Sequence, residues 1–310
     1  MKQYIYGVDI GGTNIKLGLF KENTLELIES REIKTPTEHQ EVSIFEHIAL
    51  EIQLMNQHHQ ISFDDLLGIG LAVPCPVKNG FVQKCPNLNW QTMDITKNMS
   101  LFLPGNVTVK VSNDATLAAL GENNSLERPF QNAILFTLGT GVGGGVIIDG
   151  QILEGGTGLG GEIGHIPIPF ETDELCGCGS KGCLEQVCGT KAIFKKTRLL
   201  AQTLPTSIQL DHLTVKAIFD AAKENDPVGL EVVHGVAKAI AYSASILAVV
   251  LDPEVFILGG GVSKAGQFLV DLIEQYYQPY ARFHTGSVPF ILAKTGNNAG
   301  IIGAAHYLKK

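Results

Sequence analysis

The sequence lacks a long apolar run. Its most apolar stretch, residues 239–251, holds two serines and a tyrosine and sits between Lys238 and Asp252. That is short of the ~20 residues a membrane-spanning helix needs, so the stretch reads as a buried helix. The opening MKQYIYGVDIGG has no cationic segment followed by an apolar core, hence no signal peptide, and a cytoplasmic location is expected. Positive charge is also short: 23 Lys and Arg stand against 31 Asp and Glu, a net charge of −8. That balance argues against a general nucleic-acid or membrane-surface role. Charged residues make up 17% and hydrophobic residues 45%, which excludes a disordered chain. No G-x-x-x-x-G-K-[ST] occurs, so a P-loop is excluded.

Cysteine is sparse as well, at six residues. A chain of 310 residues buries enough surface to need no disulfides, and a reducing compartment disfavours them. Cys75, Cys85 and Cys188 are therefore expected as buried thiols, while Cys176, Cys178 and Cys183 form a cluster. Glycine, in contrast, is abundant. There are 35, and 12 of them lie in the 26 positions from Gly139 to Gly164. Glycine concentrated in this way marks backbone that turns tightly or comes close to something.

The apolar pattern predicts strands at 4–10, 15–20 and 25–33, then a helix over 42–58 with Ile44, Phe45, Ile48, Ile52 and Met55 at helical spacing. Strands at 67–73 and 107–111 and a helix over 115–122 follow. The opening pattern then recurs: a strand at 133–138, the turn GTGVGG and a strand at 145–148. Ile10-Gly11-Gly12-Thr13 and Leu138-Gly139-Thr140-Gly141 lie 128 positions apart in the same context, which points to two similar halves with a cleft between them, unless these are ordinary hairpin turns. Thr214 should cap a helix over 215–224, and Pro227 should open a long helix to about residue 251. A strand at 255–258, glycines 259–261, a helix from about 265 to 277, a strand at 288–293 and a helix over 299–308 complete an α/β pattern.

Gly139–Gly144 satisfies G-x-G-x-x-G, but a strand follows it where a dinucleotide site needs a helix. What remains is a hairpin whose amides can face a phosphate, with Thr140 offering a hydroxyl. Asp9, Gly11, Gly12 and Thr13 form its first-half counterpart, and Asp9 suits phosphate-bound Mg²⁺. The glycines at 259–261 sit between a strand and a helix, a third candidate phosphate contact.

Cys176, Cys178 and Cys183, with His165 eleven residues before Cys176, make a Cys₃His set suited to a closed structural Zn²⁺ site; the alternative is a group of buried free thiols. Asn113-Asp114 ends one strand and opens a helix. Asp114 is either a helix N-cap or a general base beside an acceptor hydroxyl. Glu162, His165 and Glu185, next to the cysteine cluster, are natural partners for sugar hydroxyls. Asn87 in Pro-Asn-Leu-Asn-Trp either joins them or only shapes a turn.

DIGGT, SNDA, LGTGVGGG, GGEIGH, CGCGSKGCLE and LGGGV occur in that order. The sequence resembles the ROK family of sugar kinases over its whole length, within the actin-like ATPase superfamily. The resemblance implies an α/β protein of two actin-like (ribonuclease H-like) lobes closing over ATP and a hexose, with a structural zinc knot. It implies a small lobe of residues 1–113 plus 298–310 and a large lobe of 114–297. Asp114 would take the proton from the acceptor hydroxyl. Asn87, Asn113, Glu162, His165 and Glu185 would bind the sugar, and His165 would also hold zinc. Asp9, Gly11, Gly12, Thr13, Gly139, Thr140, Gly141, Gly143, Gly260 and Gly261 would contact nucleotide and Mg²⁺. PNLNW and GEIGH look most like the glucokinase branch, which implies ATP-dependent phosphorylation of glucose at its 6-hydroxyl. Kinases for fructose, mannose, allose or an N-acetylhexosamine are the alternative. Cys75 stands where the family commonly has glycine, and Thr116 where asparagine is common. ROK repressors carry a helix-turn-helix ahead of this body, and only eight residues precede Asp9 here. The family also suggests a homodimer.

Overall fold

The computed structural model describes residues 2–105, 107–170, 172–281 and 288–309. The first three strands are β1 (Tyr4–Ile10), β2 (Asn14–Lys21) and β3 (Leu27–Lys34). Helix α1 (Gln40–His59) follows, then β4 (Leu66–Val73), a small ribbon of β5 (Phe81–Val82) and β6 (Met93–Asp94), and α2 (Ile95–Ser100). Strand β7 (Thr108–Asn113) runs into α3 (Asp114–Asn124). Next come β8 (Ala133–Leu138), β9 (Val142–Ile148) and β10 (Gln151–Ile152). The remainder is mostly helical: α4 (Glu185–Cys188), α5 (Thr190–Leu200), α6 (Val215–Lys223) and α7 (Pro227–Leu251), then β11 (Val255–Gly259), α8 (Gln267–Tyr277), β12 (Phe290–Leu292) and α9 (Ala299–Lys309).

The chain forms two compact units. Unit 1 comprises residues 1–129, 152–160 and 297–310, and unit 2 comprises 130–151 and 161–296. The lobe boundary expected at residue 113 is therefore displaced. Helix α3 packs along α9 and stays with unit 1, so the first segment of that unit runs on to residue 129.

Each unit carries a five-stranded sheet, ordered β3-β2-β1-β4-β7 in unit 1 and β10-β9-β8-β11-β12 in the other. In unit 1 the central β1 pairs antiparallel with β2 and parallel with β4. In unit 2 the central β8 pairs antiparallel with β9 and parallel with β11. The repeated strand–glycine turn–strand pattern thus corresponds to a repeated sheet.

Two separate cores follow. Unit 1 buries Ile44, Phe45, Ile48, Ile52 and Met55 of α1 against Val8, Leu17, Ile69 and Leu71 of the sheet. Its other face takes α9, where Ile301, Ala305 and Leu308 meet Ile5 and Phe20. The approach there is very close. A Cβ on Gly70 would overlap the backbone of Ala304, and one on Gly303 would overlap that of Leu117, so larger residues would push α9 off the sheet and off α3. Unit 2 is built around α7, whose buried Val232, Val233, Val236, Ile240 and Ala244 face Phe136, Phe256 and Leu258. By length and composition α7 is long and apolar enough to cross a membrane, and 61% of its apolar window is buried inside the protein.

The caps at Thr214 and Pro227 occur as expected: Thr214 accepts from the Ala217 amide, and Pro227 opens α7 behind an Asp226 cap. Three features differ from the sequence reading. The turn read over 139–144 is shorter, because Gly143 and Gly144 already lie in β9, opposite Thr137 and Phe136. The side chain of Ile163 occupies the space over Gly144, which is why glycine stands in this strand. Helix α5 was not anticipated, since its buried side consists of Ile193 and the polar Thr197 amid lysines and an arginine, which breaks the apolar spacing. Finally, Cys75 and Cys85 are joined as a disulfide, with Cα atoms 5.3 Å apart, whereas free thiols were expected. Cys188 is a fully buried thiol, as expected.

Candidate active site

In unit 1 the site residues gather at the ends of β1 and β7. Asp9, one residue before the end of β1, pairs opposite Lys16 of β2, near the turn Gly11-Gly12-Thr13. A Cβ on Gly300, at the start of α9, would overlap the Asp9 carboxylate, so glycine there leaves the carboxylate its room. Burial pushes the Asp9 carboxyl up to about 7, the charge of Asp114 adds to the rise, and Lys16 opposes it. Asp9 and Asp114 are thus near enough for each to feel the other's charge. Lys16 is held in turn by the Asn298 side chain and, at 3.4 Å, by the Asn297 carbonyl.

Asn113, and not Asp114, is the N-cap of α3. Its φ of −65° and ψ of 145° are extended, and its Oδ1 accepts from the Thr116 amide at 3.0 Å. Its Nδ2 donates to the Cys75 carbonyl at 3.4 Å. With the cap supplied by its neighbour, Asp114 occupies the first turn of α3, half-buried, with Oδ1 accepting from the Ala115 amide at 2.7 Å. Asn87 is exposed in the single turn Pro86–Leu88, which is clamped by paired backbone bonds between Cys85 and Trp90. A Cβ on Gly12 would come within 3.3 Å of the Asn87 carbonyl oxygen. Trp90 itself is a core residue, stacked on Phe45 at 5.5 Å.

In unit 2 the short helix Ile163–His165 presents Glu162 and His165. His165 faces two ways. Its Nδ1 lies 3.6 Å from the Cys176 sulfur, and its Nε2 lies 3.9 Å from a Glu162 carboxylate oxygen. The Cys178 and Cys183 sulfurs are 3.6 Å apart, and one ligand atom from each of His165, Cys176, Cys178 and Cys183 lies within 4.8 Å of the others. Three thiols and one imidazole nitrogen at these separations fit a tetrahedral Zn²⁺ site. Backbone bonds brace the loop: Cys176 and Ser180 close a turn, and the Leu184 amide donates to Ile166. Glu185 connects this knot to the glycine turn. Its Oε2 accepts from the Val142 amide at 3.0 Å, and its Oε1 lies 3.7 Å from the Cys176 sulfur. A Cβ on Gly141 would overlap that carboxylate.

Gly260, at φ 83°, lies against the backbone of Leu138, while Gly261 opens the short helix Val262–Ala265. Both belong to unit 2 with Gly139, Thr140 and Gly141; Gly143 lies in the strand beyond the turn.

Sequence reasoning missed Thr35 and Thr190. Each donates its hydroxyl to a turn glycine: Thr35 to the Gly11 carbonyl at 2.6 Å, Thr190 to the Gly139 carbonyl at 2.8 Å. Nothing local marks either threonine. Lys16 was also missed, although a tight hairpin pairing Ile10 with Ile15 puts residue 16 opposite Asp9 by simple counting.

Two α/β units of one strand order, each with a braced glycine turn after its central strand, define the actin-like ATPase class of fold. The chain belongs to the ROK family, whose model matches residues 5–310. It is 36% identical to the glucokinase of Halalkalibacterium halodurans, over 99% of this chain and 96% of that one. It is 30% identical to the N-acetylmannosamine kinase of Vibrio cholerae, over 98% of both. A crystal structure of a ROK family glucokinase from Streptomyces griseus, in complex with glucose and AMPPNP, superposes with a TM-score of 0.77 at 29% identity, covering 98% of each chain.

Proposed function

We propose that this protein is an ATP-dependent hexokinase that phosphorylates glucose at its 6-hydroxyl. The observation that carries the reading is the arrangement in unit 1. Asn113 supplies the cap of α3, and Asp114 in the first turn of that helix lies within charge range of Asp9, which sits beside the Gly11–Thr13 turn. Phosphoryl transfer asks for such a pair: one carboxylate to take a proton, another toward the phosphate-bound cation. The relation to glucokinases and the glucose and AMPPNP bound by the Streptomyces griseus relative support the same substrates.

In this reading Asp114 accepts the proton of the sugar's 6-hydroxyl as its oxygen forms a bond to the γ-phosphorus. The bond from that phosphorus to the bridging oxygen breaks, and ADP leaves. Mg²⁺, when bound, neutralises phosphate charge, and Asp9 would hold it directly or through water. Gly11, Gly12, Thr13, Gly139, Thr140, Gly141, Gly143, Gly260 and Gly261 are the candidate nucleotide contacts; the Gly11 and Gly139 amides donate to the Asn14 and Gly141 carbonyls and so shape the turns, which leaves the other amides and the threonine hydroxyls as the candidate donors. Asn87, Asn113, Glu162, His165 and Glu185 are the candidate sugar contacts. His165, Cys176, Cys178 and Cys183 would hold Zn²⁺, which supplies a fixed anchor for the loop. With Nδ1 committed to that anchor, Nε2 is the ring nitrogen left for a sugar hydroxyl.

The test is a coupled assay with ATP and a panel of hexoses. Glucose should give a kcat/KM at least ~10-fold above fructose, mannose and N-acetylmannosamine, a margin within reach of differences in hydroxyl contacts. A higher value for one of the others would reassign the substrate. Turnover with none of them would overturn the reading.

A further inference from the structure

The Cys75–Cys85 disulfide is the feature the mechanism above leaves unused. Both cysteines are buried, Cys75 at 3% and Cys85 at 0% exposure. The bridge joins two segments that each end on a candidate sugar contact. On one side the Cys75 carbonyl receives the Asn113 carboxamide at 3.4 Å. On the other, Cys85 opens the single turn that carries Asn87 and is clamped to Trp90 by two backbone bonds. Regular structure in this region is slight, a two-residue ribbon of β5 and β6, so the covalent link is the strongest local restraint on the spacing of the two segments.

We propose that the Cys75–Cys85 disulfide is a positioning element for the hexose. It sets the Asn113 carboxamide and the Asn87 turn, so that sugar affinity follows the oxidation state of this pair. Asn113 has its Oδ1 fixed by the α3 cap and its Nδ2 directed by the Cys75 carbonyl. One Nδ2 hydrogen remains for a ligand, and its direction depends on where residue 75 is held. Reduction by a dithiol breaks the Cys75–Cys85 bond. Two electrons and two protons pass to the pair, giving two thiols, and the reductant closes into a cyclic disulfide. Burial means that the reductant reaches the sulfurs only when the segment opens, so reduction is slow in the native protein.

The inference rests on Asn113 and Asn87 being sugar contacts, and the experiment separates the two. Thiols are first counted on protein purified without reductant and denatured with chelator. Four free thiols are expected, and six would overturn the proposal. Hexose and ATP KM values are then measured for the oxidised enzyme, the dithiol-reduced enzyme, the same sample after reoxidation, and the Cys75→Ala/Cys85→Ala variant. The reduced enzyme and the variant should show a hexose KM raised by about tenfold, the scale of one or two weakened hydrogen bonds, with ATP KM unchanged and the reduced enzyme restored by reoxidation. A hexose KM within twofold of the oxidised value, or a parallel rise in ATP KM, would overturn it. Asn113→Ala is the control. If it raises hexose KM while the cysteine changes do not, this proposal alone fails. If it leaves hexose KM unchanged, the underlying site assignment fails.

Discussion

Unit 1 and unit 2 share a strand order and a braced glycine turn, yet their chemical groups differ. Both turns follow the central strand, and in both a threonine hydroxyl from elsewhere in the unit donates to the turn glycine carbonyl. Unit 1 places a carboxylate, Asp9, just before its turn; Thr137 stands at the corresponding position of unit 2. Unit 2 brings its carboxylate from a distance, with Glu185 accepting from the Val142 amide. The cysteines divide as well. In unit 1 a pair is bonded, and in unit 2 three are gathered with a histidine. The two units therefore share the strand order and the braced turn, while their carboxylates and cysteines stand at different places.

The sharpest way to break this division is to exchange carboxylates for amides in each unit. Asp114→Asn should lower kcat by about 10³-fold with hexose binding retained, the scale of a lost general base. Glu162→Gln should mainly raise hexose KM, by about tenfold, with a smaller change in kcat. Steady-state kinetics with calorimetric hexose titration distinguishes the two, and near-normal turnover in Asp114→Asn would dissolve the assignment of catalysis to unit 1.

Metal removal should strike unit 2 selectively. Chelation, or Cys176→Ser with Cys183→Ser, should lower stability by several kcal/mol, since binding energy at a structural zinc site contributes directly to folding. Amide exchange should quicken around residues 163–188 while β1 and β4 stay protected. Purified protein should carry one Zn²⁺ per chain, measured by elemental analysis.

A smaller effect concerns Asp9 in the absence of Mg²⁺. Its carboxyl is raised from an ordinary 3.8 to about 7, so the folded chain keeps a proton that the unfolded chain releases. The associated stability is fully present below pH 4 and is lost as pH rises through 7. Asp9→Asn removes that loss, so relative to the parent it should gain about 4 kcal/mol at pH 8 and close to nothing at pH 4. Denaturant titrations at the two pH values check this, and a gain at pH 4 would contradict it.

The smallest effects test the equivalence of the turns. Thr35→Val and Thr190→Val each remove one hydroxyl-to-glycine bond, at about 1 kcal/mol apiece, and should raise ATP KM to similar extents. A fivefold difference between them would show that the two turns do not serve the nucleotide alike.

Much of the scaffold was legible because apolar periodicity is a local signal. The hairpin of β1 and β2, helix α1 and helix α7 all follow from spacing, and Pro227 marks where α7 begins. Helix α5 was not legible, because its short buried stripe of Ile193 and Thr197 is half polar and lies among lysines. Glycines 143 and 144 read as a turn because nothing local announces that Ile163 packs over the strand. At the site, Asn113 and Asp114 are both capping residues, and the choice between them rests on a backbone angle that the sequence does not carry. The disulfide depends on tertiary proximity alone. The histidine and cysteine set was legible as a cluster, while the opposed directions of the two His165 nitrogens came from the fold.

Helix α9 has a consequence for the order of assembly. It packs against β1 and β4, among the first strands of the chain, and against α3. Every residue of unit 2 precedes it in sequence. During synthesis the chain grows from its N-terminus, and domains ordinarily mature in that order. Here the unit that begins the chain is completed after the other one. Until α9 arrives, the sheet face holding Ile5 and Phe20 is uncovered, and Gly70 faces no neighbour. A nascent chain halted near residue 296 would hold every residue of unit 2 and an unfinished unit 1, with an apolar face open to chaperones or to aggregation.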